Sequence, residues 1–514
     1  MTWEPEVAEI RRRRQIAYAL GGEEAVARRH AAGHWTIRER IAALLDPGSF
    51  RELGVLAAAV EYDADGNATR ITPSNAVLGT GLVNGRPVVV GGEDFTIRGG
   101  ASDGGGSAKM YYMEHLARQL RVPLVRLMEG AGGSVRTNVR HHAGRAIQAP
   151  EAAAWADLLG TVPVVAAAMG ACAGIVAARM AYAHFSIMLK DAVVFAGGPP
   201  VVERALGEVV SKEELGGYQV HVCKSGLVDN VAEDEADCIN QIKTFLSYLP
   251  SNVWEQPPRG PVDDDPNRCD EALLSLIPRN RRRPYDARQL IRHVVDRDSF
   301  FELTPYYGQS LITGLARVDG YPVGLIANNP SYAGGAMDGP AADKLTRFVD
   351  LCDTFHLPVV SFEDEPGYMV GVAAESAGTL RRGVRALVAV KQSTVPWITF
   401  IVRRAYGVAA GAHVNPTALT YAWPSGEWGS IPIEGGVAAA YRREIAAAPD
   451  PEQRRRELEA MHERDRNPFP RAEAFGLLDL IDPRETRPIV VDFVRKAQIT
   501  TRIQLGPKAR PMRP

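Results

Sequence analysis

The residues best suited to chemistry in this chain are glycines at the ends of apolar runs, not side-chain nucleophiles. Thr161 to Ala178 reads TVPVVAAAMGACAGIVAA, and Thr394 to Gly411 reads TVPWITFIVRRAYGVAAG. Each stretch opens Thr-Val-Pro, continues through residues suited to a buried strand, and breaks at Gly174 or Gly407. A strand that stops at glycine and resumes as a small-residue helix leaves backbone N–H groups without partners. Such a turn binds an anion, or an oxyanion as it develops, without any side chain. Two more glycine turns follow the same logic, Glu129-Gly130-Ala131-Gly132-Gly133-Ser134 and Asp364-Glu365-Pro366-Gly367. One such turn signifies only a tight connection. Four of them at matching strand ends imply amides aimed into a common site.

Other chemistries lack their spacing. The chain holds no GxxxxGK[ST], no GxSxG elbow, no HExxH and no CxxC. Gly99 to Gly106 (GGASDGGG) has neither the lysine nor the strand–helix context of a phosphate loop and reads as a flexible loop. The pair His141-His142, flanked by Arg140 and Arg145, reads as exposed loop. Lys109 stands in an Ala-Lys-Met faintly like a biotinylation site, but its counterpart Lys344 assigns it to a helix start. Five scattered cysteines suit a reducing cytoplasm, without a zinc site or a disulfide framework, and no metal is expected.

The elements that must position these glycines come in duplicate. RIAALLDPGSFREL from Arg40 matches LIRHVVDRDSFFEL from Leu290, and GLVNGRPVVV from Gly81 matches ARVDGYPVGL from Ala316. KMYYMEHLARQLRVPLVRLME from Lys109 matches KLTRFVDLCDTFHLPVVSFED from Lys344, and the Thr-Val-Pro runs align Gly174 with Gly407. Met113, Leu116, Ala117 and Leu120 fall on one helical face, as do Phe348, Leu351, Cys352 and Phe355. Short β-branched runs follow Pro123 and Pro358, as buried strands re-entering a sheet do. Two α/β domains are expected, 1–255 and 285–514, joined by a proline-rich linker over 256–284 with a short helix near Glu271 to Leu276. Arg281 to Arg283 reads as a solvated run in that linker, and the first 45 residues as helical. A net charge of −2 argues against nucleic acid, and the glycine, proline and nearby Arg179 of the 161–178 run argue for a strand and helix instead of a membrane span.

With these residues in view, the chain resembles the carboxyltransferase (β) subunits of biotin-dependent acyl-CoA carboxylases, the propionyl-CoA and methylcrotonyl-CoA carboxylase group. The likeness runs from about Glu24 to about Ala497. It is carried by HAAGHWTIRERIAALLDPGSFREL, GRPVVVGGEDFTIRGGA, MGACAG, GGPPVVERALGEVVSKEELGG with HVCKSGLVD, RRPYDARQLI, DEPGYMVG with GTLRRGVRAL, TVPWITFIVRRAYG and FGLLDLIDPRETR. The resemblance implies two tandem crotonase-type (spiral ββα) domains, the first facing acyl-CoA and the second facing biotin. It implies transfer of CO2 from carboxybiotin to the α (or vinylogous γ) carbon of an acyl-CoA through an enolate. Gly174 and Ile175 would then hold the thioester oxygen and Val408 with Ala409 the biotin ureido oxygen, with Gly132, Gly133, Gly367, Gly407 and Gly411 lining the substrate sites. The implied partners are a biotin carboxylase and biotin carrier (α) subunit, and further copies of this chain in a hexamer built as a trimer of dimers.

Against the family's pattern, Ile175 and Val408 stand where glycine is usual, and the Glu129 to Ser134 turn has lost an arginine. Gly411 replaces an acid that often helps select short acyl groups, so a longer or branched acyl group than acetyl is expected. Two other readings remain open at this stage, a non-catalytic paralogue that scaffolds a mixed complex and a biotin-dependent decarboxylase subunit.

Overall fold

The computed structural model describes residues 2–101, 104–132, 157–463 and 467–513. The chain divides into two compact units, Met1–Glu255 with Gly506–Pro514, and Gln256–Leu505. Among the described residues each unit is built on an eight-stranded sheet, and the two sheets share one strand order.

In the first unit the sheet runs Arg51–Leu53, Ala76–Val83, Arg86–Glu93, Leu124–Gly130, Val164–Ala173, Phe185–Leu189, Asn230–Ala232. In the second it runs Phe301–Leu303, Leu311–Val318, Tyr321–Asn328, Val359–Glu365, Trp397–Tyr406, Leu419–Ala422, Asp479–Leu480. The first two pairings of each sheet are antiparallel and the others parallel. A short parallel strand, Val193–Phe195 or Glu427–Gly429, pairs only with the far end of the ten-residue central strand. Parallel strands are covered on both faces and are therefore apolar along their length. Val164 to Met169 are accordingly 0% exposed.

The repeated prolines have a physical role. Each opens a strand, where its missing N–H costs nothing and its carbonyl still pairs. Pro163 O accepts from Leu124 N and Pro396 O from Val359 N, both at 2.9 Å; Pro123 O and Pro358 O accept from Val89 N and Gly324 N, again at 2.9 Å. Register shifts at Met128/Gly130 and Glu363/Glu365 occupy equivalent places, where the chain leaves the regular ladder for its glycine turn. The predicted helical faces are buried at Met113, Ala117, Leu351, Cys352 and Phe355, while Leu120 is half exposed.

Three sequence expectations change. Residues 256–284 are not a free linker but part of the second unit. Gly260 N donates to Gly320 O at 2.8 Å, Arg487 Nε to Asp265 O at 2.8 Å, and Arg268 bonds Asp264 together with the carbonyls of His293 and Val295. Prolines deny this segment a ladder, and arginine-to-carbonyl bonds anchor it instead. Within it Arg281 forms a two-point ion pair with Glu427 at 2.7 and 2.6 Å, so only Arg282 and Arg283 fit the solvated reading. The C-terminal stretch belongs to the first unit, where Gly506 N donates to Val253 O at 2.7 Å. Finally, the glycine-rich loop is partly helical, because the Gly104–Leu120 helix begins inside it. Among the described residues no helix is long and apolar enough to cross a membrane.

Candidate active site

At the end of the Val164–Ala173 strand, Gly174 takes φ 60° and ψ −122°, a conformation nearly closed to residues with a side chain. A Cβ there would meet nothing within 4 Å, so backbone geometry alone calls for glycine. The turn feeds directly into the Ile175–Ala181 helix. Gly174 N itself donates to Phe195 O at 3.2 Å, which corrects the expectation that this amide is free beside that of Ile175. The short Val193–Phe195 strand takes it. Among the described residues no acceptor meets the N–H of Ile175 or of Val176, the first two positions of the helix.

The neighbouring turn lies against this one. A Cβ on Gly132 would stand 2.6 Å from Ala173 O and 3.6 Å from Gly174 Cα, and one on Gly130 would reach Val176 Cγ2 at 3.4 Å. Only glycine allows that approach. Gly133 and Ser134, with His141 and His142, lie outside the described residues.

Beneath the turn is a charged floor that sequence patterns did not reveal. Glu129, 3% exposed, accepts from Arg29 Nη1 and from Arg40 Nη1, each at 2.7 Å, and Arg40 continues to Glu235 at 2.7 Å. Glu93 lines a narrow cleft with Tyr111, Arg179 and Ile175, and burial raises its carboxyl above the usual range. Arginines and glutamates scattered over separate helices and strands share no local spacing, so no motif marks them.

In the second unit Gly407, at φ 63°, ends the Trp397–Tyr406 strand, and a Cβ there would lie 3.0 Å from Ser430 O. The four-residue helix Gly407–Ala410 and a turn Gly411–His413 follow. Among the described residues no acceptor meets the N–H of Val408 or Ala409. Val408 is 61% exposed and Ala409 is buried. Gly411 has ordinary helical geometry, and a Cβ there would meet Leu387 Cδ1 at 3.2 Å, so space rather than conformation distinguishes that position. Gly367 N donates to Glu365 Oε1 at 2.9 Å and its carbonyl accepts from Met337 N at 3.1 Å. That turn is closed on itself, and its glycine is not a free donor as expected.

Asp364 beneath the second turn is fully buried and held by Arg403 and Arg404, the counterpart of the arginine-bound Glu129 in the first unit. Beside it Glu363 is 1% exposed, with Oε1 lacking a partner among the described residues. Burial, with the charges of Glu365 and Asp364, pushes its carboxyl well above the usual range.

Known proteins resemble this chain along nearly its whole length. The carboxyl transferase domain family matches residues 28–512. The carboxyltransferase subunit of propionyl-CoA carboxylase from Haloferax mediterranei is 34% identical over 499 residues, 95% of each chain. The alpha subunit of methylmalonyl-CoA decarboxylase from Veillonella parvula is 36% identical over 479 residues, 92% of each chain. A solved structure of transcarboxylase 12S, a hexamer with methylmalonyl-coenzyme A and methylmalonic acid bound, superposes with a TM-score of 0.86 at 32% identity, covering 97% of this chain and 96% of that one. Two crotonase-type units with paired glycine turns, matched from end to end by such relatives, leave one conclusion: the chain belongs to the carboxyl transferase domain family.

Proposed function

We propose that this chain is the carboxyltransferase subunit of a biotin-dependent acyl-CoA carboxylase, moving a carboxyl group between biotin and the α (or vinylogous γ) carbon of an acyl-CoA. The observation that carries the reading is the pair of unpartnered amides at each glycine turn, Ile175 with Val176 and Val408 with Ala409. Biotin, on a separate carrier chain, would supply the carboxyl group and then the base for the α-proton. The chain's own part is electrostatic. Ile175 and Val176 N–H hold the thioester oxygen as negative charge builds on it, while Gly174 fixes the turn and Gly132 packs against it. Val408 and Ala409 N–H hold the ureido oxygen in the same way. One such donor is worth about 3 kcal/mol of barrier, so two pairs suffice without an acidic or basic side chain in contact with substrate.

A biotin carboxylase with its biotin carrier is the partner this function requires, and the working assembly is a hexamer of this chain with that partner in the cytoplasm. The reading is tested by mixing purified protein with free biotin and malonyl- or methylmalonyl-type thioesters. Biotin-dependent loss of CO2 is expected; none with any acyl length, from intact oligomers, overturns it. The identity to a decarboxylase subunit favours a second reading, in which the same turns run the transfer from thioester to biotin. Supplying carboxylated and uncarboxylated carrier in separate reactions distinguishes the two directions.

A further inference from the structure

We infer that His413 is a positioning residue for the second amide turn, held there by Ser361, and that Arg126 serves the first turn from the same place in the fold. Arg126 and Ser361 are each the third residue of their strand, paired with Ala166 and Thr399 on the central strand and standing just before the matching register shifts. They are 1% and 0% exposed, polar groups on otherwise apolar strand starts. Burying such a group is costly unless it is bonded, and both are.

Arg126 Nη1 donates to Tyr182 O at 2.8 Å and to Arg179 O at 3.4 Å, the carbonyls that end the Ile175–Ala181 helix. Its Nη2 donates to Glu114 Oε1 at 2.9 Å, which Arg179 Nε also meets at 3.2 Å. A cation on terminal carbonyls complements the helix dipole and fixes where the helix ends, hence where its free amides begin. In the second unit Ser361 Oγ bonds His413 Nδ1 at 3.1 Å. The His413 carbonyl accepts from Trp397 Nε1 at 2.8 Å and from Thr399 Oγ1 at 2.7 Å. Its Nε2 lies 3.5 Å from Glu365 Oε2, and that carboxylate also accepts from Asn328 Nδ2 at 3.0 Å and from Gly367 N at 2.9 Å.

A helix of four residues has no stability of its own. The segment from Gly407 to His413 is held by the central strand at Tyr406, by the buried methyls of Ala409 and Ala412, and at its far end by the buried side chain of His413. Its Nε2, buried and without a hydrogen-bond partner among the described residues, faces the carboxylate that receives the Gly367 amide, so the histidine stands between the two glycine turns of this unit. The inference rests on reading the Val408 and Ala409 amides as the biotin-side oxyanion site.

The test compares His413→Leu, His413→Asn, Ser361→Ala and Arg126→Met, with kcat/KM measured separately for free biotin and for the acyl-CoA thioester. A misplacement of about 1 Å costs on the order of 100-fold, and a partial one about tenfold. His413→Leu and Ser361→Ala should lower kcat/KM for biotin at least about tenfold while the acyl-CoA dissociation constant stays within about twofold. His413→Asn, which keeps a polar atom near Nδ1, should recover most of that loss. Arg126→Met should weaken the thioester side instead. Folded His413→Leu or Ser361→Ala enzyme with wild-type biotin kinetics, or with equal losses on both sides, overturns the inference. Wild-type protein inactive with biotin overturns the underlying reading and is seen before any variant is made.

Discussion

A methyl group at residue 174 would touch nothing, yet it would force an L-residue into a backbone region it scarcely occupies. Gly174→Ala should therefore lower stability by about 1–3 kcal/mol, read as a shift in the denaturant midpoint. The surviving folded enzyme should lose far more thioester activity than that, because relaxing the turn re-aims the Ile175 and Val176 amides. A variant with unchanged kcat/KM would show that the turn only connects two elements. At position 411 the question is space, since a side chain there presses on Leu387. Gly411→Asp should shift the ratio of activities toward shorter acyl-CoA substrates, and an unchanged ratio across acetyl-, propionyl- and longer thioesters would count against that position as a selector.

At the scale of elements, the strand ends are supported by buried charge. Replacing Glu129 by Gln leaves Arg29 and Arg40 facing one another with a neutral partner. Breaking a buried ion cluster on one side typically costs about 3–5 kcal/mol, so Glu129→Gln should unfold at a clearly lower denaturant concentration. Glu363 presents the opposite case, an acid kept neutral by burial. Below its ordinary pKa of 4.5 both folded and unfolded chains hold the proton. Above it the unfolded chain ionises more readily than the folded one, whose carboxyl is held above the usual range by burial, so stability falls as pH rises from there. Glu363→Gln should remove that dependence, with its gain over wild type in Tm growing between pH 5 and pH 8. A constant difference would mean the carboxyl ionises normally in the fold. The glycine turns, the strand-opening prolines and the helical faces were legible because each depends on local spacing. The ion clusters were not, because Arg29, Arg40, Glu129 and Glu235 meet only after four separate elements have packed.

On the whole molecule, one surface of the second unit asks for cover. Leu380, Val384 and Val388 stand four residues apart on the Thr379–Gln392 helix at 57%, 42% and 44% exposure, and Val370 and Val372 nearby exceed 80%. In the proposed hexamer, a second copy of this chain is expected to cover such a stripe. Val384→Glu should reduce the mass of the assembly in sedimentation while leaving the secondary structure intact; an unchanged mass would place the contact elsewhere. The duplication, the α/β class and the family all follow from the sequence alone, since repeated apolar runs, prolines and glycines impose the same strand–turn–helix wherever they recur. Which amides lack an acceptor is visible only in the folded chain. Gly174 loses its N–H to Phe195 and His413 reaches Ser361, and both bonds join residues whose meeting depends on the register of the sheet, while Gly367 gives its N–H to Glu365 two residues earlier.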